Sequence, residues 1–136
     1  LNTSNPKPLY VADTVALVLH LENRRLGADA ARAFQEAEQN QAILYIPALA
    51  FAEVMYLSER QRISIGVAEV MNYLGRYLES VFEAPLNLEI IAMAQTITDI
   101  PELHDRLIAA TARALGAKLI TNDQTLQASQ FVQTLW

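Results

Sequence analysis

Short runs of β-type residues alternate with longer helical segments along the whole chain, and this alternation limits the folds open to it. Leu9–Ala12, residues 43–46, Val81–Ala84, residues 118–121 and residues 131–135 have the length and the β-branched or aromatic content of strands. Between them, residues 15–22 and 28–39, a stretch from Pro47 to about 62, and residues 66–79, 86–97 and 103–115 read as helices. Their apolar or alanine positions recur at helical spacing, as Val67, Val70, Met71, Leu74 and Leu78 do. Pro47 suits a first helical position, where no N–H donor is needed, and Gly116 is a natural helix stop. Strands alternating with helices predict a three-layer α/β/α sandwich around a mostly parallel sheet of about five strands. A chain of 136 residues fits one such domain, expected over 9–136, with residues 1–8 as a polar tail.

Composition narrows the chemistry. There is no cysteine, so thiolate zinc sites and disulfides are excluded, and His20 and His104 alone make a poor zinc set. Any metal is therefore expected on oxygen. The longest apolar run, residues 43–52, is about half a membrane span, and the first residues lack the apolar core of a signal peptide. The expectation is a cytoplasmic protein with no membrane segment. A net charge of −5 argues against holding nucleic acid on a broad basic surface.

Four acids stand where an α/β sheet puts its working crevice, beyond the carboxyl ends of the strands, or on helix faces turned toward it. Asp13 follows the first strand and Asp123 the fourth; each could equally cap the helix that follows. Asp105 lies in the first turn of its helix, where the helix dipole favours any carboxylate. Of the nearby acids Asp99, Glu102 and Asp105, the last is the candidate because Ile108, Ala109 and Ala112 turn its face inward. Glu53 shares a helix face with Leu49, Ala50, Tyr56 and Leu57, so its carboxylate must be paired, protonated or bound to a cation. Converging at one sheet end, Asp13, Glu53, Asp105 and Asp123 would make a hard-oxygen site suited to Mg2+ or Mn2+. Such ions support phosphodiester hydrolysis by activating water and offsetting charge on the reacting oxygens. Without these four acids the net charge would be only −1.

The motifs carrying these acids form an ordered set. Tyr10-Val11-Ala12-Asp13-Thr14, Ile46-Pro47-Ala48 leading to Glu53-Val54, Asp105 to Ala112, and Leu119-Ile120-Thr121-Asn122-Asp123 resemble the PIN-domain ribonucleases in order and spacing. That resemblance implies that Asp13, Glu53, Asp105 and Asp123 bind the metal and that Thr121 helps position a water or ligand beside them. It also implies an RNA substrate, and an antitoxin partner and a homodimer, as for toxins of VapBC-type pairs. One position departs from the family: Val15 stands where a small polar residue is common.

Other residues carry less. His104, beside Asp105, reads as a solvated residue at a helix start, and His20 as an ordinary residue near a helix end. Arg24, Arg25, Arg60 and Arg62 could line a phosphate path or simply be solvated helix ends. The helix at 66–79, with Tyr73 and Tyr77, is the candidate surface for a second copy. A dinucleotide fold is excluded because the first turn has no glycine, and a receiver domain because the first strand is not followed by an acidic pair. The alternative is a non-catalytic PIN-like module that binds a protein.

Overall fold

The computed structural model describes residues 6–136, so the expected tail falls outside the described residues as far as residue 5. Among the described residues five strands and seven helices follow in the order β1 (Leu9–Ala12), α1 (Thr14–Leu21), α2 (Ala28–Glu38), β2 (Ile43–Pro47), α3 (Ala48–Glu59), α4 (Val67–Arg76), β3 (Val81–Ala84), α5 (Leu88–Thr96), α6 (Leu103–Leu115), β4 (Lys118–Ile120), α7 (Gln124–Ala128) and β5 (Thr134–Leu135). The strands form one sheet in the order β3-β2-β1-β4-β5, and every pairing is parallel.

The two-residue period of the strands sorts their side chains between two cores. Tyr10 and Ala12 of β1, Leu44 and Ile46 of β2, and Ile120 of β4 pack with Leu17, Phe34, Ala50, Val54 and Val70 of α1 to α4. Val11 and Leu119 face the other way, against Ile90, Ala94, Ile108, Ala109 and Ala112 of α5 and α6 and Leu126 of α7. The sheet is thus covered on both faces, as expected for an α/β/α sandwich. Among the described residues no helix is long and apolar enough to cross a membrane.

Several boundaries differ from the sequence expectation, each for a local reason. Pro47 is the last residue of β2, paired with Ala84, and its ψ of 139° makes it the residue before α3 rather than the first within it. The helix then ends at Glu59 because Gln61 turns left-handed, with Gln61 N–H donating to Ser58 and Arg62 N–H to Leu57. Asn23 and Asn40 end α1 and α2 the same way. β5 is two residues rather than five: the Phe131 carbonyl accepts from Arg113, and only Gln133 and Leu135 offer carbonyls to β4 and Thr121.

The strand order fixes the working end of the sheet. From β1 the chain builds outward through β2 and β3, then crosses to the other side of β1 to lay down β4 and β5. The direction of winding reverses between β1 and β4, and there the connections leave in opposite directions and open a crevice.

Candidate active site

Asp13 is the first residue beyond β1, and its N–H donates to the Ile120 carbonyl of β4 at 3.1 Å. Its side chain is buried, and one carboxylate oxygen accepts from the Ala16 N–H at 2.8 Å. Capping α1 and lining the crevice are therefore compatible for Asp13, whose capped carboxylate is part of the cleft wall. Asp123 repeats the device beyond β4, accepting from the Leu126 N–H at 3.0 Å and so starting α7.

Thr121 links the two. Wholly buried, its hydroxyl lies beside the Asp13 carboxylate, favouring its ionised form, and accepts from the Asp123 N–H at 3.0 Å. Glu53 arrives from α3 on one face of the sheet, and Asp105 from the first turn of α6 on the other. All four acids line one cleft of about 120 Å³, together with Thr14, Val15, Ile108 and Asn122.

The neighbouring acids have other duties. Glu102 caps α6, accepting from the His104 and Asp105 N–H groups at 3.1 and 2.9 Å, and Asp99 holds Ser129 and the Gln130 N–H at 2.8 Å. Arg106, next to Asp105 in sequence, turns its guanidinium to the carbonyls of Ile100 and Pro101. Among the described residues no lysine or arginine lines the acid cleft. Arg24 pairs with Glu22, and Arg60 lies over the Tyr56 ring at 4.1 Å.

Two partners of the site were not singled out from the sequence. Thr14 donates its hydroxyl to Glu53 at 2.6 Å, and Asn122 joins the lining. A hydroxyl directly after a strand-end aspartate was the available signal for Thr14, but its bond spans 39 residues and needs the fold. Glu53 also lines a larger, open groove of about 560 Å³ with Leu49, Ala52, Met55, Tyr56, Leu57 and His104.

The donor set, four carboxylates with no basic residue among the lining, has the hard-oxygen chemistry of a Mg2+ or Mn2+ site. As placed, no three His, Asp or Glu side chains among the described residues are arranged to hold one ion. Closing on an ion requires side-chain rotation, and Asp105 is free to rotate because its carboxylate accepts no hydrogen bond from the described residues.

The model of the PIN domain family matches residues 10–131, a span that includes both strand-end acids, Glu53 and Asp105. The chain belongs to the PIN domain family. It is 29% identical over 119 residues to Ribonuclease VapC22 of Mycobacterium tuberculosis, covering 85% of this chain and 88% of that protein. Among solved structures it is similar to VapBC2 from Rickettsia felis, solved on a promoter DNA fragment, with a TM-score of 0.68, 17% identity and 94% and 98% of the two chains covered. FitAcB from Neisseria gonorrhoeae superposes with a TM-score of 0.60 at 16% identity, covering 93% and 96%. At these identities the solved structures attest the shared fold.

Electrostatics in this PIN domain set the acids against one another. Burial pushes Asp13 up from the ordinary carboxylate value to about 6; bonds from Thr121 and Ala16 oppose this, and the charges of Asp105 and Asp123 add to it. Asp105 is raised by burial first and then by Asp123, Glu102 and Glu53. A carboxyl whose pKa is higher folded than unfolded contributes stability that is full below the unfolded value, 3.8 for Asp13, and lost as pH rises through about 6. At neutral pH, ionised Asp13 therefore costs the fold up to about 3 kcal/mol. Asp13→Asn keeps the cap acceptor and removes the charge. In chelator at pH 7.5 it is expected to be more stable than wild type by denaturant unfolding, with the gain vanishing near pH 4. A variant no more stable than wild type at pH 7.5 would contradict this account: asparagine caps about as well as aspartate, so a carboxylate that acts only as a cap predicts no change at either pH.

Proposed function

We propose that this chain is a divalent-metal-dependent endoribonuclease of the toxin type, acting in the cytoplasm, with Asp13, Glu53, Asp105 and Asp123 as its metal-binding acids. The observation that carries the reading is the meeting of four carboxylates, without a cation from the protein, at the switch point between β1 and β4. Burying and crowding carboxylates is unfavourable unless a cation or donors compensate. Mg2+ or Mn2+ bound there supplies Lewis acidity that activates water and stabilises charge on phosphate oxygens. The single domain is proposed to run from residue 9 to residue 136.

The chain's own groups divide the work. Asp13 and Asp123 are fixed by helix caps and provide ligands of set orientation. Thr121, beside the Asp13 carboxylate and accepting from the Asp123 N–H, supports their spacing and would orient a water. Asp105, whose carboxylate accepts no hydrogen bond from the described residues, is the acid best suited to adjust its position toward a cation. The open groove beside Glu53 favours a polymeric substrate over an enclosed small molecule. RNA is the inferred polymer because the matched relative is a ribonuclease.

The partners follow the same relationship. The VapBC structures motivate an antitoxin as the protein partner. A second copy is proposed as well, but not through the tyrosines of α4. Tyr73 is buried in the core with its hydroxyl on Glu38, and Tyr77 packs against its ring. Exposed apolar side chains cluster in sequence instead at Phe82, Leu86, Leu88 and Ile91.

The purified protein is expected to cut single-stranded RNA with Mn2+ or Mg2+ and to stop in chelator. Asp105→Asn should lower kcat at least 100-fold, while Glu102→Gln, which keeps one capping oxygen, should leave it within a few-fold and change stability by less than about 1 kcal/mol. Absence of cleavage with either metal would favour the non-catalytic binding module. Inactivity of Glu102→Gln beside an active Asp105→Asn would reverse the assignment of those two acids. Light scattering of the same sample tests the dimer, which a monomeric mass at micromolar concentration would exclude.

A further inference from the structure

Three of the four cleft carboxylates come from helix starts or strand ends, where free backbone N–H groups are at hand. Glu53 does not. It sits in the middle of α3, where the backbone donors are spent within the helix, and its side chain has more rotatable bonds than an aspartate. Its carboxylate is held by one side chain, the Thr14 hydroxyl, at 2.6 Å, within the range of O–H···O⁻ bonds. Thr14 is itself buried, 8% exposed, because it begins α1 directly after Asp13. Val15, which follows, is half exposed and has no side-chain donor to offer.

We propose that Thr14 is the positioning residue for Glu53: its hydroxyl holds Oε1 and leaves Oε2 free for the cleft, supplying from position 14 the polar support that Val15 does not. The inference rests on the metal-dependent reading of the cleft. A neutral donor suits the task, because it fixes the carboxylate without cancelling the charge a cation needs. An arginine or lysine in the same place would compete with the ion. The bond also ties α1 to α3, so the element carrying Asp13 and the element carrying Glu53 are held in register.

The test compares Thr14→Val and Thr14→Ala, which lack the hydroxyl, with Thr14→Ser, which keeps it. Folding of each is checked by circular dichroism in chelator, Mn2+ affinity by thermal-shift titration, and turnover by steady-state RNA cleavage. Removing a partner that orients a metal ligand is expected to weaken Mn2+ binding by about 10- to 100-fold. At limiting Mn2+, kcat should fall with it while KM for RNA stays within about twofold, and excess Mn2+ should recover part of kcat. Serine should restore both quantities. Unchanged Mn2+ affinity in a folded Val or Ala variant overturns the proposal. So does a loss of stability that serine fails to rescue, which would mark Thr14 as structural only. Wild-type protein that neither binds Mn2+ nor cuts RNA would sink the reading of the cleft, and this inference with it. Intact wild-type activity beside indifferent Thr14 variants would sink this inference alone.

Discussion

Parallel pairing of β1 with β4 is the contact on which the site depends. Those strands are far apart in sequence, yet Ala12 lies opposite Ile120 and the Asp13 N–H extends the ladder by donating to Ile120. With that register, the residues just past the two strands, Asp13 and Asp123, must emerge side by side. Thr121 turns its hydroxyl to this end of the sheet, beside Asp13 and accepting from the Asp123 N–H. Slipping the register by one residue would move Val11 and Leu119 out of one core and Ala12 and Ile120 out of the other. Hydrophobic burial on the two faces therefore enforces a polar arrangement at the sheet end.

The cleft is built against the grain of stability. Helix caps, Thr121 and Thr14 offset part of the cost of gathering the acids, but burial still drives Asp13 toward protonation. Elsewhere the molecule satisfies its polar groups: among the described residues no buried side-chain nitrogen or oxygen lacks a partner. Glu38, for example, accepts from Tyr73 and meets His20, which hold it below the ordinary carboxylate value although burial alone would raise it. Strain confined to one crevice, in a fold otherwise well compensated, is the pattern expected where electrostatics serve binding or chemistry. The acidic net charge fits the same picture, since the four cleft acids account for most of it.

Much of this could be read from the chain before folding. Strand runs rich in β-branched and aromatic residues, alternating with helices, predicted the α/β/α layers, because local content and tertiary burial agree at Val11, Leu44, Ile46 and Leu119. The four acids could be named because each sits at a strand end or on a helix face whose neighbours are apolar. What stayed hidden depends on long-range contact. Capping and lining the cleft proved not to be exclusive for Asp13 and Asp123, since each side chain caps a helix and also lines the cleft. The role of Thr14 needs α3 laid against α1, and the burial of Tyr73 needs Glu38 beneath it. The end of α3 falls at Glu59 rather than near residue 62 because Gln61 takes a left-handed turn, which glutamine signals less strongly than glycine does.

The central claim is that these four carboxylates act together as one divalent-cation site, and direct binding of Mn2+ tests it without reference to any substrate. Electron paramagnetic resonance titration of free Mn2+ against wild-type protein and Asp123→Asn gives both stoichiometry and affinity. The account predicts saturable binding by wild type that weakens at least tenfold in the variant, since a cation held by several carboxylates loses a ligand. Equal binding by both proteins, or no saturable binding by wild type, would contradict it.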